Sequence, residues 1–339
     1  NYMSITPIFQ PKLYNIHSES LRCILSDWGA RLISFECKSS NEDWVEITGG
    51  YDNIQDYRLQ NNYFGSICGR YANRIKNGQF VLDGKLHQLD INKGHHHLHG
   101  GRLSFHNQIW TVINHTDTSI EFQLHDPDSH QGYPGNLISR ISYEVRNNEL
   151  LLQYSAQSDL DTIINIAPHF YFNLSLEDTI YNHELWIDSD TITEITDEGI
   201  PTGKFISTEN SSLDFSVPKK IMHGFATDDL FIRQFDGYDY NFVLKSQRNF
   251  NSPVASVYSQ KSNLQMNIYT SQPGLQFYTC NWKDKFEIGR GKRRYGKHSF
   301  LCLESQHFPD SPNHDHFPST VLRKNEFYKH FTRYELLHK

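Results

Sequence analysis

Apolar and polar residues alternate along much of this chain with a period of two. Ile141, Tyr143 and Val145 alternate with polar neighbours, and after Asn147-Asn148 the pattern resumes at Leu150, Leu152 and Tyr154. Such alternation puts every second side chain on one face of a strand. Phe80-Val81-Leu82, then Asp83-Gly84, then Lys85 to Leu89 read as a hairpin, because Asp-Gly tolerates the positive φ of a tight turn. Further strands are predicted over 120–124, 183–187, 241–244, 264–269, 275–279 and 300–303. Only 53–60 reads as a helix, and it is short. Many short strands separated by turn signals predict an all-β fold, a sandwich or a barrel.

Composition agrees with sheet: 14 % of the residues are aromatic, with 22 Phe and 19 Tyr. All-β sandwiches often exceed about 200 residues as one domain. The 339 residues carry no internal repeat, low-complexity tract or linker, so a single domain over 1–339 is expected. A net charge of −7 argues against nucleic acid or an anionic membrane as partner, since both require a positive surface. No run of 18 apolar residues is present, so no membrane-spanning helix is expected. The N-terminus shows no basic segment followed by an apolar stretch, so no signal peptide is expected. Cys23, Cys37, Cys68, Cys280 and Cys302 are scattered, odd in number and without metal-type spacing. Buried reduced thiols in a cytoplasmic protein are expected.

Four stretches carry candidate chemistry. In Ala167-Pro168-His169-Phe170-Tyr171-Phe172-Asn173-Leu174 a histidine follows a proline that favours extended geometry, so His169 is expected on a sheet. Its plain alternative is a half-buried structural histidine. The segment 63–77 places Gly65 and Gly69 near Asn73-Arg74, an amide beside a guanidinium. Both offer the directed hydrogen bonds that hydroxyl-rich ligands need, unless the arginine is merely structural. Lys93 to Gly101 holds His95, His96, His97 and His99. On a strand, His95, His97 and His99 would share a face and could bind a metal, but the next acidic residue is Asp117 and Gly100-Gly101 signals a turn. Glu304 is read as the end of an apolar strand, a carboxylate at the mouth of a sheet, or else an ordinary rim residue. Asp239 and Gln276 stand among aromatic residues, where burial is costly unless a polyol or a backbone group bonds to them.

Taken together these stretches resemble the aldose 1-epimerase (galactose mutarotase) family. The resemblance rests on Gly-Arg-x-Ala-Asn-Arg-Ile at 69–75, Leu-His-Gly-Gly at 98–101 and His-x-Tyr-Phe-Asn-Leu at 169–174. It extends to Gln-Pro-Gly-x-Gln-Phe-Tyr-Thr at 272–279 and Cys-Leu-Glu-x-Gln at 302–306. It implies a large antiparallel β-sandwich with an open cleft, no cofactor and no metal. It further implies Glu304 as general base and His169 as general acid, with Asn73, Arg74, His99, Tyr171, Asp239 and Gln276 binding sugar hydroxyls. The expected partner is a small aldose, handled by a monomer or weak homodimer. The His95–His97 run, Cys280 where glycine is common, and the polar 310–316 segment depart from the family pattern and leave sugar preference open.

Mutarotation needs little more than these groups. A base takes the proton of the anomeric hydroxyl while an acid protonates the ring oxygen, and after rotation about C1–C2 the same groups work in reverse. A bell-shaped pH profile is expected, falling on the acid side as Glu304 protonates and on the alkaline side as His169 deprotonates. Three other readings compete. Arg290, Lys292, Arg293, Arg294 and Lys297 could clamp a hexose 6-phosphate. The fold could serve as a non-catalytic carbohydrate-binding protein. The histidine run could make a metal-dependent β-barrel enzyme.

Overall fold

The alternating segments pair as their pattern requires. In the computed structural model, which describes residues 10–59 and 62–339, Leu137–Arg146 and Glu149–Ser158 pair antiparallel along their whole length. The turn between them uses Asn147 at φ 51°, a left-handed conformation that asparagine adopts at low cost. The predicted hairpin forms as Gln79–Leu82 against Lys85–Gln88.

Two large antiparallel sheets organise the molecule. One has nine strands, in the spatial order Thr111–His115, Ser119–Asp126, Leu137–Arg146, Glu149–Ser158, Tyr328–His338, Leu264–Thr270, Ala255–Ser259, Glu184–Ile187 and Lys219–Lys220. The other has five, ordered Pro201–Ser207, Thr191–Ile195, Asp239–Val243, Gly274–Tyr278 and Cys302–Gln306. A four-stranded sheet of Leu13–His17, Leu21–Ser26, Arg31–Lys38 and Trp44–Glu46 packs against them. One buried cluster joins all three, with Leu152, Ile268 and Tyr334 from the first, Phe242, Leu275, Phe277 and Leu303 from the second, and Leu25 and Phe35 from the third. This is the expected antiparallel β-sandwich.

Burying each such side chain is worth about 1.5–3 kcal/mol, so the apolar face fixes which way the five-stranded sheet turns. A one-residue slip would carry Phe242, Leu275, Phe277 and Leu303 to the opposite face and forfeit all four.

The structure departs from the pattern in three places. The strand expected over 300–303 runs instead over Cys302–Gln306, and all five of its residues are buried. The expected helix forms over Ile54–Leu59, and Gln60 lies outside the described residues. Met222–Phe225 and Leu230–Phe235 are also helical. The second is capped by Asp229, whose carboxylate accepts the Phe231 N–H at 3.0 Å, a local signal that hydrophobic alternation does not register. All five cysteines are buried and none forms a disulfide. Among the described residues no helix is long and apolar enough to cross a membrane.

Histidines are unusually abundant in the interior, and burial depresses them. His97, His183 and His298 fall to about 4, and His106, His169 and His307 to about 3. Between these values and the ordinary 6.5 the unfolded chain binds more protons than the fold, so stability rises with pH across that window. Each histidine contributes at most about 1.4 kcal/mol per pH unit. Asp27, Asp239, Glu304 and Asp310, all raised by burial, oppose the trend but are outnumbered. The urea midpoint should therefore fall steadily from pH 7 to pH 4.5, and a midpoint that stays flat across that range would refute the assignment.

Candidate active site

Asp239–Val243, Gly274–Tyr278 and Cys302–Gln306, three neighbouring strands that end one side of the five-stranded sheet, set the site. Their register places Asp239 opposite Tyr278, Asn241 opposite Gln276, and Gln276 opposite Glu304. Because the neighbours Tyr240, Phe242, Leu275, Phe277 and Leu303 belong to the core, Asp239, Gln276, Tyr278, Glu304 and Gln306 share the other face. Glu304 is therefore not at a strand end, as its apolar run suggests, but in mid-strand and only 2 % exposed. The polar residues after it are buried because they have partners. Ser305 shares a hydrogen bond with Thr332 at 2.5 Å, and the Gln306 side-chain amide donates to Asn241 at 3.0 Å and to Gln276 at 3.1 Å.

His169 reaches this face from a separate strand. Ala167–His169 pairs antiparallel with Ser66–Cys68, and the His169 ring brings Nε2 to 3.5 Å from Glu304 Oε1. The ring stacks against two tyrosines, Tyr63 at 5.5 Å and 22° and Tyr171 at 5.0 Å and 21°. His169 Nδ1 and Glu304 Oε2 are buried without hydrogen-bond partners among the described residues. Burial, assisted by the Arg31 cation, lowers His169 to about 3. Burial and the neighbouring Asp239 raise Glu304 well above the usual carboxylate range, with Arg74 opposing. Each group alone resists charge, and at this separation the two titrate as a coupled pair. The limbs of a pH profile belong to the pair, not to one residue each.

A loop crossing fixes the next two groups. Asn73 and His99 both have positive φ, 63° and 50°, and they are locked reciprocally. The His99 N–H donates to the Asn73 carbonyl, and the Asn73 N–H donates to His99 Nδ1, both at 3.0 Å. Asn73 also spends its side-chain oxygen on the Arg74 N–H at 2.9 Å, which leaves its amide N–H groups for the cleft. Gly100 permits the crossing. With φ 85°, a Cβ there would lie 2.0 Å from the Gly69 carbonyl oxygen.

That crossing also bears on metal binding. His99, His169 and Glu304 hold potential ligand atoms within 4.8 Å of one another. A metal-bound histidine donates its second N–H to a partner. His99 does the reverse: its Nδ1 accepts, so the neutral ring carries its proton on Nε2 and offers a donor, not a ligand atom. Burial, with His169 and Arg74 nearby, holds His99 far below the ordinary histidine range and therefore neutral. The histidine run itself is dispersed. Only His97-Leu98 is strand, His95 is exposed, and His97 bonds the Asp90 carbonyl and the Tyr133 hydroxyl. His96 accepts from the Asn77 N–H at 3.0 Å. The run does not present one metal-binding face.

These groups open on a cleft of about 280 Å³. Of the residues singled out from sequence, Asn73, Arg74, His99, His169, Tyr171, Asp239 and Glu304 line it. Gln276 does not. Its amide donates to Asp239 Oδ1 at 2.7 Å and its oxygen accepts from Gln306, so it braces Asp239 from behind. Tyr63, Lys93, Phe235, Tyr278 and Asn281 line the cleft without having been singled out. Tyr278 was legible, two positions beyond Gln276 and hence on the same face. Phe235 closes a helix that the alternation hides. The basic cluster lies elsewhere: Arg290 pairs with Glu46 at 2.7 Å, Arg293 donates to the Leu176 carbonyl at 3.0 Å, Arg294 covers the Phe286 ring, and Lys297 pairs with Asp236.

Comparison with known proteins follows the same lines. The family model described as aldose 1-epimerase matches residues 12–335. A galactose mutarotase from Bos taurus is 35 % identical over 323 residues, covering 94 % of this chain and 92 % of its own length. An aldose 1-epimerase from Escherichia coli K12 is 35 % identical over 317 residues, covering 92 % and 91 %. The solved structure of an aldose epimerase homologue from C. elegans superposes with a TM-score of 0.90 at 27 % identity, covering 97 % of this chain and 99 % of that one.

The loop crossing yields a direct test. Gly100→Ala adds a methyl group against backbone at a left-handed position, which should destabilise the fold by about 2 kcal/mol or more in urea unfolding. Wild-type stability in that variant would mean that the His99 loop is not closed as described.

Proposed function

The chain belongs to the aldose 1-epimerase family and is an isomerase that interconverts the α and β anomers of aldoses such as galactose and glucose; we propose that His169 and Glu304 carry its acid–base chemistry. The observation that supports this most is the 3.5 Å approach of an imidazole nitrogen to a carboxylate oxygen on the wall of a polar cleft. The two oxygens that must exchange a proton in mutarotation, O1 and O5, are bonded to the same carbon. An acid and a base held side by side match them.

The reaction runs as follows. With the pair charged, Glu304 takes the proton from O1–H while the His169 imidazolium gives its proton to O5. The C1–O5 bond breaks and C1=O1 forms. The pair is now neutral, carboxylic acid beside imidazole, and one proton has in effect moved from O1 to O5. After rotation about C1–C2, His169 takes back the O5 proton, O5 attacks the other face of C1, and Glu304 returns its proton to O1. Burial favours the neutral pair, which is the state needed while the sugar is open. His99 Nε2–H, the Asn73 amide and Arg74 offer donors to the hydroxyls, and Asp239, braced by Gln276, offers an acceptor. The chain is read as one domain acting as a monomer or weak homodimer, and its buried, unpaired thiols support a cytoplasmic setting. The basic cluster, engaged away from the cleft, gives no support to a 6-phosphate substrate.

Glu304→Gln and His169→Asn should each lower kcat by about 10²–10⁴-fold, and the double variant should lose little more. The wild-type profile should be bell-shaped. Its acid limb, where the pair gains a second proton, lies below the ordinary histidine value of about 6.5 because His169 is depressed. Its alkaline limb, where the only proton leaves, lies above the ordinary glutamate value because Glu304 is raised. Polarimetry on fresh α-D-galactose, with calorimetric sugar affinity as the folding control, measures the wild type and all three variants. Retention of more than about a tenth of turnover by Glu304→Gln would exclude Glu304 as the base.

The proton on His99 Nε2 leads to a second expectation. Exhaustive chelation should leave turnover unchanged, and added zinc should not raise it. Loss of activity restored by a divalent ion would mean that the Asn73–His99 bond breaks to admit a metal.

A further inference from the structure

The mechanism requires an imidazolium in a place where burial opposes it, and the surroundings of His169 show what could compensate. Besides the stacked Tyr63 and Tyr171, five groups around it are titratable or charged: Glu304 at 3.5 Å, Arg31, the neutral His99 and His106, and Tyr278 edge-on at 6.4 Å. Arg31 opposes a second cation, and only Glu304 supplies an opposite charge. Two tyrosine rings, however, lie stacked against the imidazole and nearly parallel to it. An aromatic face is negative and attracts a cation stacked on it, most strongly where water is excluded.

Tyr171 is part of a packed aromatic cluster and only 4 % exposed, so its place is set by the core. Tyr63 is held differently. Its carbonyl accepts the Ser66 N–H at 3.0 Å, and Arg31 anchors the next carbonyl, that of Phe64, at 2.6 Å. The following Gly65 has φ 63° and lies so close to the Leu32 carbonyl that a Cβ would come within 1.7 Å of its oxygen. The turn is built tightly, and it delivers one ring to the cleft wall. That ring also meets His99 edge-on at 4.6 Å. A group that only filled space would not need a ring parallel to His169.

We propose that Tyr63 is a positioning residue for the acid, its ring clamping the His169 imidazole against Tyr171 and stabilising the imidazolium through its π face. This rests on the reading of His169 as the acid. The ring, not the hydroxyl, is the active feature. Tyr63→Phe should keep kcat within about threefold, while Tyr63→Leu, which removes the face, should lose more with KM little changed.

The decisive variant keeps shape and reverses the ring's charge distribution: pentafluorophenylalanine in place of Tyr63, compared with Tyr63→Phe. In a Glu304→Gln background, where His169 titrates without its partner, NMR should show its pKa lower by about half to one and a half units in the fluorinated protein. In the otherwise wild-type protein, kcat for galactose should fall by about 3–30-fold with KM unchanged, the same shift expressed as a rate. Equal pKa values and equal kcat in the two proteins overturn the proposal. So does a loss in Tyr63→Phe as large as in Tyr63→Leu, which would assign the hydroxyl instead. Should Tyr63→Leu fail to fold, the fluorinated pair still decides. Failure of the underlying reading looks different: His169→Asn would retain turnover even though the fluorinated ring still moved the His169 pKa.

Discussion

The site depends on a constraint of parity. On Asp239–Val243, Gly274–Tyr278 and Cys302–Gln306, the residues that face the core are Tyr240, Phe242, Leu275, Phe277 and Leu303. Their burial commits every intervening residue to the opposite face. Asp239, Gln276, Tyr278 and Glu304 are thus brought onto one face by hydrophobic burial, not by any affinity among themselves. Burial raises both Asp239 and Glu304, and the Asp239 charge adds to the rise at Glu304 while Arg74 opposes it. The core supplies the free energy that holds them together.

Having forced polar groups inward, the fold satisfies most of them and leaves a few open. Gln306 bonds Asn241 and Gln276, Gln276 bonds Asp239, and Asn73 and His99 satisfy one another's backbone. Glu304 Oε2 and His169 Nδ1 remain without partners among the described residues. Buried polar atoms are nearly always bonded, and of the described side-chain atoms left without a partner these two belong to residues that line the cleft. Gln276 shows the distinction. It has the same burial and parity as Glu304, yet both ends of its amide are engaged, so it serves the site from behind.

What the sequence revealed follows the same division. Period-two alternation exposed the sheets, since burial on one face writes itself into residue order. It misplaced the strand bearing Glu304, because Ser305 and Gln306 look like solvent residues until their partners, Thr332 and Asn241, are brought beside them from distant segments. It suggested a common face for His95, His97 and His99, but a turn at 93–96 takes His95 out of the strand and the positive φ of His99 ends it. Tyr63 was in view, and nothing local could say that its ring would lie on His169, 106 positions away.

The closeness of the proposed acid and base decides more than reach. In the mechanism we propose, the pair passes from charged to neutral and back, and a catalyst that strongly favoured either state would stall at the other. Burial penalises each isolated ion by several kcal/mol and pulls toward the neutral pair. Opposite unit charges 3.5 Å apart at an effective dielectric near 20 recover about 5 kcal/mol, which pulls back. These opposing magnitudes are similar, and that similarity lets one proton move between O1 and O5 in either direction. Lengthening the pair weakens attraction without restoring water, leaving the neutral state as a trap. Opening the cleft to water would free both charges and uncouple them. A buried pair in near contact avoids both outcomes, and neither group could be moved to the rim without losing the balance.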